Sequence, residues 1–154
     1  HRSPQLLVGY YEDPERTTEA FKGGWFHSGD LATVDDAGYI TVVDRKKDMI
    51  KTGGENVASR EVEETIYGLD AVSEVAVIGV PHSYWIEAVV AVVVPRQAQS
   101  LTVDEVTTHC QTALAAFKVP KKIVFAETLP KNPSGKVLKR ALRERYVSVL
   151  DDTE

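Results

Sequence analysis

The chain has 154 residues, enough for one domain or for one domain and part of another. Hydrophobic residues make up 43% and charged residues 27%, the balance of a soluble globular protein. The net charge of −5 argues against nucleic acid as the main partner. No apolar run reaches the length of a membrane span and no signal peptide is expected, so the expected setting is cytoplasmic, with any membrane association peripheral. Cys110 is the only cysteine, which excludes an internal disulfide and a cysteine-based metal site. The four histidines show no metal-ligand spacing. The chain starts at His1 and its one methionine is Met49, so it reads as a piece of something longer.

Residues 1–26 are loop-rich, with a short helix expected after Pro14 and a break at Gly23-Gly24. Leu31–Val34 and Tyr39–Val43 read as two strands joined by the turn Asp35-Asp36-Ala37-Gly38. The charged stretch Arg45-Lys46-Lys47-Asp48 then reads as a linker or hinge. Beyond it, Met49–Lys51 and Glu55–Val57 flank the tight turn Thr52-Gly53-Gly54. Ser59 is expected to cap a helix carrying the stripe Val62, Ile66 and Leu69, with Gly68 near its end. The runs Val75–Val80 and Ala88–Val94 are apolar on both faces and so predict central strands covered on each side. Thr102 and Glu105 form a capping box for a helix that buries Val106, Cys110, Ala113, Leu114 and Phe117. Lys122–Phe125 is a further strand. A basic amphipathic helix with Leu138, Ala141, Leu142 and Tyr146 on one side ends the order. The part after residue 47 therefore reads as a compact α+β domain.

Four stretches could carry chemistry. In Gly24–Asp30, the carboxylate of Asp30 follows a Ser-Gly turn and could accept hydrogen bonds from a sugar diol; the bland alternative is a turn aspartate. In Asp44–Asp48, Arg45 could bond the same sugar and the charged run could absorb backbone rotation; the alternative is a solvated charge run. In Lys51–Ser59, the adjacent glycines allow close approach of backbone to a ligand; the alternative is a plain hairpin turn. In Pro130–Val137, a stiff loop presents Lys136, a point charge suited to carboxylate or phosphate oxygens; the alternative is a solvated lysine. The last is not a P-loop, which needs glycine in place of Pro130 and Ser or Thr in place of Val137. Nine basic residues lie between Lys118 and Arg145 against two acidic ones, a surface suited to a polyanionic small molecule or the solvated face of a helix.

In order, GYYEDPERTTEAF, GWFHSGD, GYITVVDRKKDMIKTGGENV and LPKNPSGKVLKRALR resemble the C-terminal signatures of the adenylate-forming superfamily, in its acyl-CoA synthetase branch. The resemblance runs from Gly9 to Arg143 and is nearest to bacterial medium- to long-chain fatty-acyl-CoA synthetases. The chain ends in an acidic tail at Glu154, and no carrier domain is expected behind it. The resemblance implies an α+β lid domain from residue 47, its small central sheet flanked by three helices and an N-terminal two-stranded hairpin. Residues 1–46 would be the end of a large N-terminal domain. The implied reaction joins a fatty or other carboxylic acid to CoA with ATP, through an acyl-adenylate, releasing AMP and pyrophosphate. Asp30 and Arg45 would contact the nucleotide ribose. Lys136 would reach the carboxylate and α-phosphate during adenylation, where a placed cation stabilises developing charge. Lys47 would be the hinge of a domain rotation. Gly53 and Gly54 would then line the pantetheine path, with Lys51 and Asn56 near the AMP phosphate. ATP, CoA and Mg2+ are the implied cofactors, the Mg2+ held mainly by the missing N-terminal domain, which is itself the main implied partner. The fragment alone is expected to be inactive. An aryl-CoA ligase, a luciferase-like oxygenase and a stand-alone binding module remain as alternatives. Three positions depart from the pattern: Ser28 stands for threonine, Ala58-Ser59 for an aromatic-proline pair, and Ile86 for glycine.

Overall fold

A computed structural model describes residues 1–97 and 99–150; the acidic tail at Glu154 lies outside the described residues. The chain divides into two units, His1–Lys47 and the part from Asp48 onward.

In the first unit, helix α1 (Pro14–Ala20) starts with proline at a position that has no intrahelical partner for an N–H anyway. Its cap is Asp13, whose carboxylate accepts from the Arg16 N–H at 2.9 Å. Gly23 and Gly24, at φ 65 and 75, end this segment in a backbone region that glycine adopts without strain. Strands β1 (Asp30–Val34) and β2 (Ile40–Arg45) pair antiparallel. Their turn is organised by Asp35, whose Oδ1 accepts from the Ala37 and Tyr39 N–H groups at 3.0 and 2.9 Å. β2 runs through Arg45, so the charged turn begins at Lys46 rather than at Arg45 as expected. Val34, Ile40 and Val42 are exposed, and Asp44 is the only buried residue described in this unit.

The second unit is built on one five-stranded sheet. β5 (Val72–His82) and β6 (Ile86–Pro95) form a long antiparallel hairpin, each reaching further than the apolar runs alone predict. The other edge of β6 is shared. Ile86 pairs with Thr52 of β3 (Ile50–Thr52), and Val90–Val93 pair in parallel with β7 (Lys122–Phe125). β3 forms its own hairpin with β4 (Glu55–Val57). Alternating side chains of β5 and β6 feed two cores. Val77, Val89, Ala91 and Val93 pack with Val62 and Ile66 of α2 (Ser59–Tyr67) and with Val106 and Cys110 of α3 (Val103–Ala113). Ala76, Ile78, Val80, Val90 and Val92 pack on the opposite side with Leu129 and with Leu142 of α4 (Lys139–Arg145). This explains why both strands are apolar on both faces. Each fully buried valine or leucine stabilises by about 1.5–3 kcal/mol relative to exposure.

Three local expectations are corrected. Ser59 does not cap α2; the cap residue is Ala58, and the Ser59 hydroxyl instead accepts from Lys139 Nζ at 2.6 Å. Helix α3 stops at Ala113 because Leu114 turns extended (ψ 151), so Ala113 and Phe117 are exposed and Leu114 is half-buried. Leu138 is exposed at the start of α4, where Leu142 carries the burial. The Thr102–Glu105 capping box forms in full.

Candidate functional site

The predicted site residues fall into three groups. The first is Asp30 with Arg45. Gly29, at φ 78, turns the chain into β1, and the Lys46 N–H donates to its carbonyl at 2.8 Å. A register shift between Leu31 and Ala32 leaves Asp30 directly opposite Arg45. Their side chains form an ion pair, Arg45 Nε to Asp30 Oδ1, at 2.8 Å. Both remain partly open to solvent, so the pair contributes little to stability. The sequence suggested two separate sugar contacts; here each group orients the other. Gly29, Arg45, Lys46 and Lys47 line a shallow cleft of this unit. Lys47 is exposed in the turn after β2.

The second group is the β3–β4 hairpin. Lys51 and Asn56 are cross-strand partners, and Gly53 and Gly54 make the turn at φ 58 and 87. A side chain at either glycine would be strained there. The hairpin is fixed from outside by residues the sequence reading did not single out. Glu87 Oε2 accepts from the Lys51 N–H at 2.8 Å, and the Trp85 carbonyl accepts from the Gly53 N–H at 2.9 Å. Glu87 fits because Gly79, two residues before its cross-strand partner Pro81, has no Cβ; one built there would lie 3.0 Å from the Glu87 carboxyl carbon. Ile86 between them sits at φ 71. No sequence signal joins Glu87 to Lys51, 36 residues apart; only the sheet brings them together.

The third group is the lysine arm. Asn132 organises it, its Oδ1 accepting from the Ser134 N–H at 3.1 Å, the Ser134 hydroxyl at 2.8 Å and the Lys136 N–H at 2.8 Å. The Asn132 N–H returns a bond to the Lys136 carbonyl at 2.9 Å, and Gly135 takes φ 81. Lys131 and Val137 bridge the two legs, and the Leu138 N–H donates to the Pro130 carbonyl at 2.8 Å. Asn132 was legible as the side chain of an Asx turn before proline and glycine. The Lys136 residue is exposed, and no described residue forms an ion pair or a hydrogen bond with its ammonium.

The basic stretch around this arm is less free than its composition implies. Lys118 pairs with Glu61, Lys131 with Glu74, Lys139 with Glu63, Arg140 with Glu144 and Arg143 with Asp48. Lys121 lies over the Trp85 ring at 5.1 Å, and Arg145 over Tyr146 at 5.3 Å. The partners of the paired cations are acidic residues outside or within the stretch, which a count over residues 118–145 mostly does not see. Among the described residues, no cluster of His, Cys, Asp or Glu could hold a metal ion. No described helix is long and apolar enough to cross a membrane.

Residues 61–136 match the family model of the AMP-binding enzyme C-terminal domain. The chain is 48% identical over 145 residues to the long-chain-fatty-acid–CoA ligase FadD13 of Mycobacterium tuberculosis, covering 94% of this chain and 29% of that protein. The chain belongs to the adenylate-forming superfamily. Within that superfamily it is also 49% identical over 143 residues to a feruloyl-CoA synthase of an Amycolatopsis species, covering 93% of this chain and 29% of that protein. The structure of ATP-bound MatB from Rhodopseudomonas palustris superposes with a TM-score of 0.89 at 40% identity, covering 96% of this chain and 30% of that one. The chain thus spans under a third of the length of these adenylate-forming relatives. Their α+β C-terminal domain is the fold described above.

Proposed function

We propose that the chain is the C-terminal portion of an AMP-forming fatty-acid–CoA ligase, residues 1–46 ending its large N-terminal domain and residues 47–154 forming its mobile lid. The observation that carries the reading is Lys136: a solvent-facing ammonium without an ion-pair partner among the described residues, on an arm closed by Asn132, among lysines and arginines that are mostly paired. A cation placed in advance stabilises charge as a carboxylate attacks the α-phosphate of ATP, and losing one such contact costs about 3 kcal/mol or more.

The other residues take roles that fit their surroundings. Asp30 and Arg45 accept and donate toward the ribose hydroxyls, each already oriented by the other. Lys47 is the hinge, in an exposed turn between the two units. In the thioester-forming step, Gly53 and Gly54 let the pantetheine arm of CoA approach backbone, and Lys51 and Asn56 face the AMP phosphate. Lys121 and Lys122, which lie at the start of β7 and form no ion pair with any described residue, are the cations we assign to the CoA phosphates. ATP, CoA and the acid are the substrates. Mg2+ is assigned mainly to the N-terminal domain. The long-chain-fatty-acid relatives favour an aliphatic acid. An aryl acid is the second reading, because a feruloyl-CoA synthase is as similar as FadD13.

Half-reaction assays on the full-length enzyme, with acids of varied chain length and with ferulate, test this. Lys136→Ala should slow acyl-adenylate formation by at least about 100-fold. Thioester formation from supplied acyl-adenylate should continue. Lys47→Pro, which stiffens the turn, should impair mainly the second step. Equal loss of both steps in Lys136→Ala would refute the assigned role, and unchanged turnover in Lys47→Pro would refute the hinge. Acyl-CoA formation by residues 1–154 alone would refute the dependence on an N-terminal domain.

A further inference from the structure

We propose that Lys139 is a positioning residue for Lys136, tying the lysine arm to α2 through Glu63 and Ser59. The inference rests on the reading of Lys136 as the adenylation lysine. Lys139 is the first residue of α4, three positions beyond Lys136. Its ammonium lies 2.7 Å from Glu63 Oε1 and donates to the Ser59 hydroxyl at 2.6 Å. The side chains of Lys139 and Glu63 are 17% and 21% exposed, against 91% and 65% for Arg140 and Glu144 next to them. The exposed pair is free to break and reform in water. The half-buried one has fewer alternatives, because leaving either charge without its partner there is costly.

Glu63 is itself held. The same Oε1 accepts from the Val77 N–H of β5 at 2.8 Å. Three elements, α2, β5 and α4, therefore meet at Lys139. The other foot of the arm has a matching tie, Lys131 to Glu74 of β5 at 2.6 Å. Both feet of the arm are fixed to the body of the unit by lysines, and the lysine between them is left for a ligand. Ser59 follows two residues after Val57, where β4 ends, so the same node sits on the segment leading from the Gly53-Gly54 turn. A serine at this place, unlike a proline, carries a side-chain oxygen that accepts from Lys139.

An ammonium on a four-carbon stem acts on the reacting atoms only if its base is steady, and a misplacement of about 1 Å can cost about 100-fold in rate. A contact that served stability alone would slow both half-reactions together.

The test uses the full-length enzyme with Lys139→Met, Lys139→Arg, Ser59→Ala and Lys136→Ala. Acyl-adenylate formation, thioester formation from supplied acyl-adenylate, and amide hydrogen exchange over residues 131–138 are measured. Lys139→Met should lower kcat for adenylation by about 10- to 100-fold with little change in KM, and speed exchange in the arm. Thioester formation should persist, and Lys139→Arg, which keeps the charge, should recover most of the lost rate. Ser59→Ala, which keeps the ion pair, should give a smaller loss in the same direction, and it decides the matter if Lys139→Met does not fold. Wild-type adenylation in both Lys139→Met and Ser59→Ala overturns the inference, as does equal loss of both half-reactions with no recovery by arginine. If Lys136→Ala abolishes adenylation in that case, the reading of Lys136 stands without it. If Lys136→Ala adenylates normally, that reading fails and the positioning role falls with it.

Discussion

Single residues carry the features most specific to this chain. Ile86 is a β-branched residue at φ 71, a region where such side chains are strained by about 1–3 kcal/mol. It is 67% exposed, so its side chain recovers little by burial. The strain persists because its neighbours need the shape: Trp85 and Glu87 both bond the β3–β4 hairpin. Ile86→Gly should therefore stabilise by about 1 kcal/mol after the extra freedom glycine gives the unfolded chain is subtracted. Thermal unfolding should show a rise of about 3 °C; an unchanged or lower midpoint would show that the loop is not strained. Sequence marked Ile86 as a departure from a glycine pattern, and the positive φ is the physical content of that mark. Ser59 is the opposite case. Its residue type fits a helix cap, but Lys139, 80 residues away, takes the hydroxyl.

Elements respond to their ends. Helix α3 opens with a closed capping box: Glu105 Oε2 accepts from the Thr102 N–H and hydroxyl, both at 2.8 Å, and the Glu105 N–H donates to the Thr102 hydroxyl at 3.2 Å. The bond from the Thr102 backbone, followed by that from its hydroxyl, lowers the Glu105 pKa from its ordinary value. A carboxyl whose folded pKa is depressed stabilises the fold above its unfolded pKa and loses that contribution as pH falls through the folded one. Glu105→Gln should flatten the pH dependence of stability in that acid range, as read by urea unfolding at a series of pH values. An identical pH profile would mean the box does not hold in solution. The C-terminal end of α3 was not legible, because Leu114 and Phe117 continue the apolar spacing while the chain turns to enter β7. Periodicity reports which residues could face a core; it does not report where the chain must bend to reach the next strand.

At the scale of the whole molecule, the buried hydrophobic residues among those described all lie between Ile50 and Leu142. A chain beginning at Asp48 should therefore fold by itself with one cooperative thermal transition, whereas His1–Lys47 alone should show none. Circular dichroism melts of the two pieces check this; a non-cooperative second piece would show that its core is insufficient. Burial also raises the pKa of the Cys110 thiol. The core position of Cys110, beside Val106, was legible from helical spacing alone.

The sequence by itself determined the class of fold and the groups that could do chemistry. Two strands apolar on both faces require cover on each side, glycines mark turns, and the ordered motifs around Asp30, Arg45, Gly53-Gly54 and Lys136 carry the family. These are local properties: periodicity, turn chemistry and charge survive without any partner. Tertiary structure alone decided the partners. It set Arg45 on Asp30, Glu87 under the Lys51 amide, and Lys139 on Ser59 and Glu63, leaving Lys136 without an ion pair among the described residues. Pairing across 15 to 80 positions depends on strand register and helix packing, and a linear count of charges holds neither.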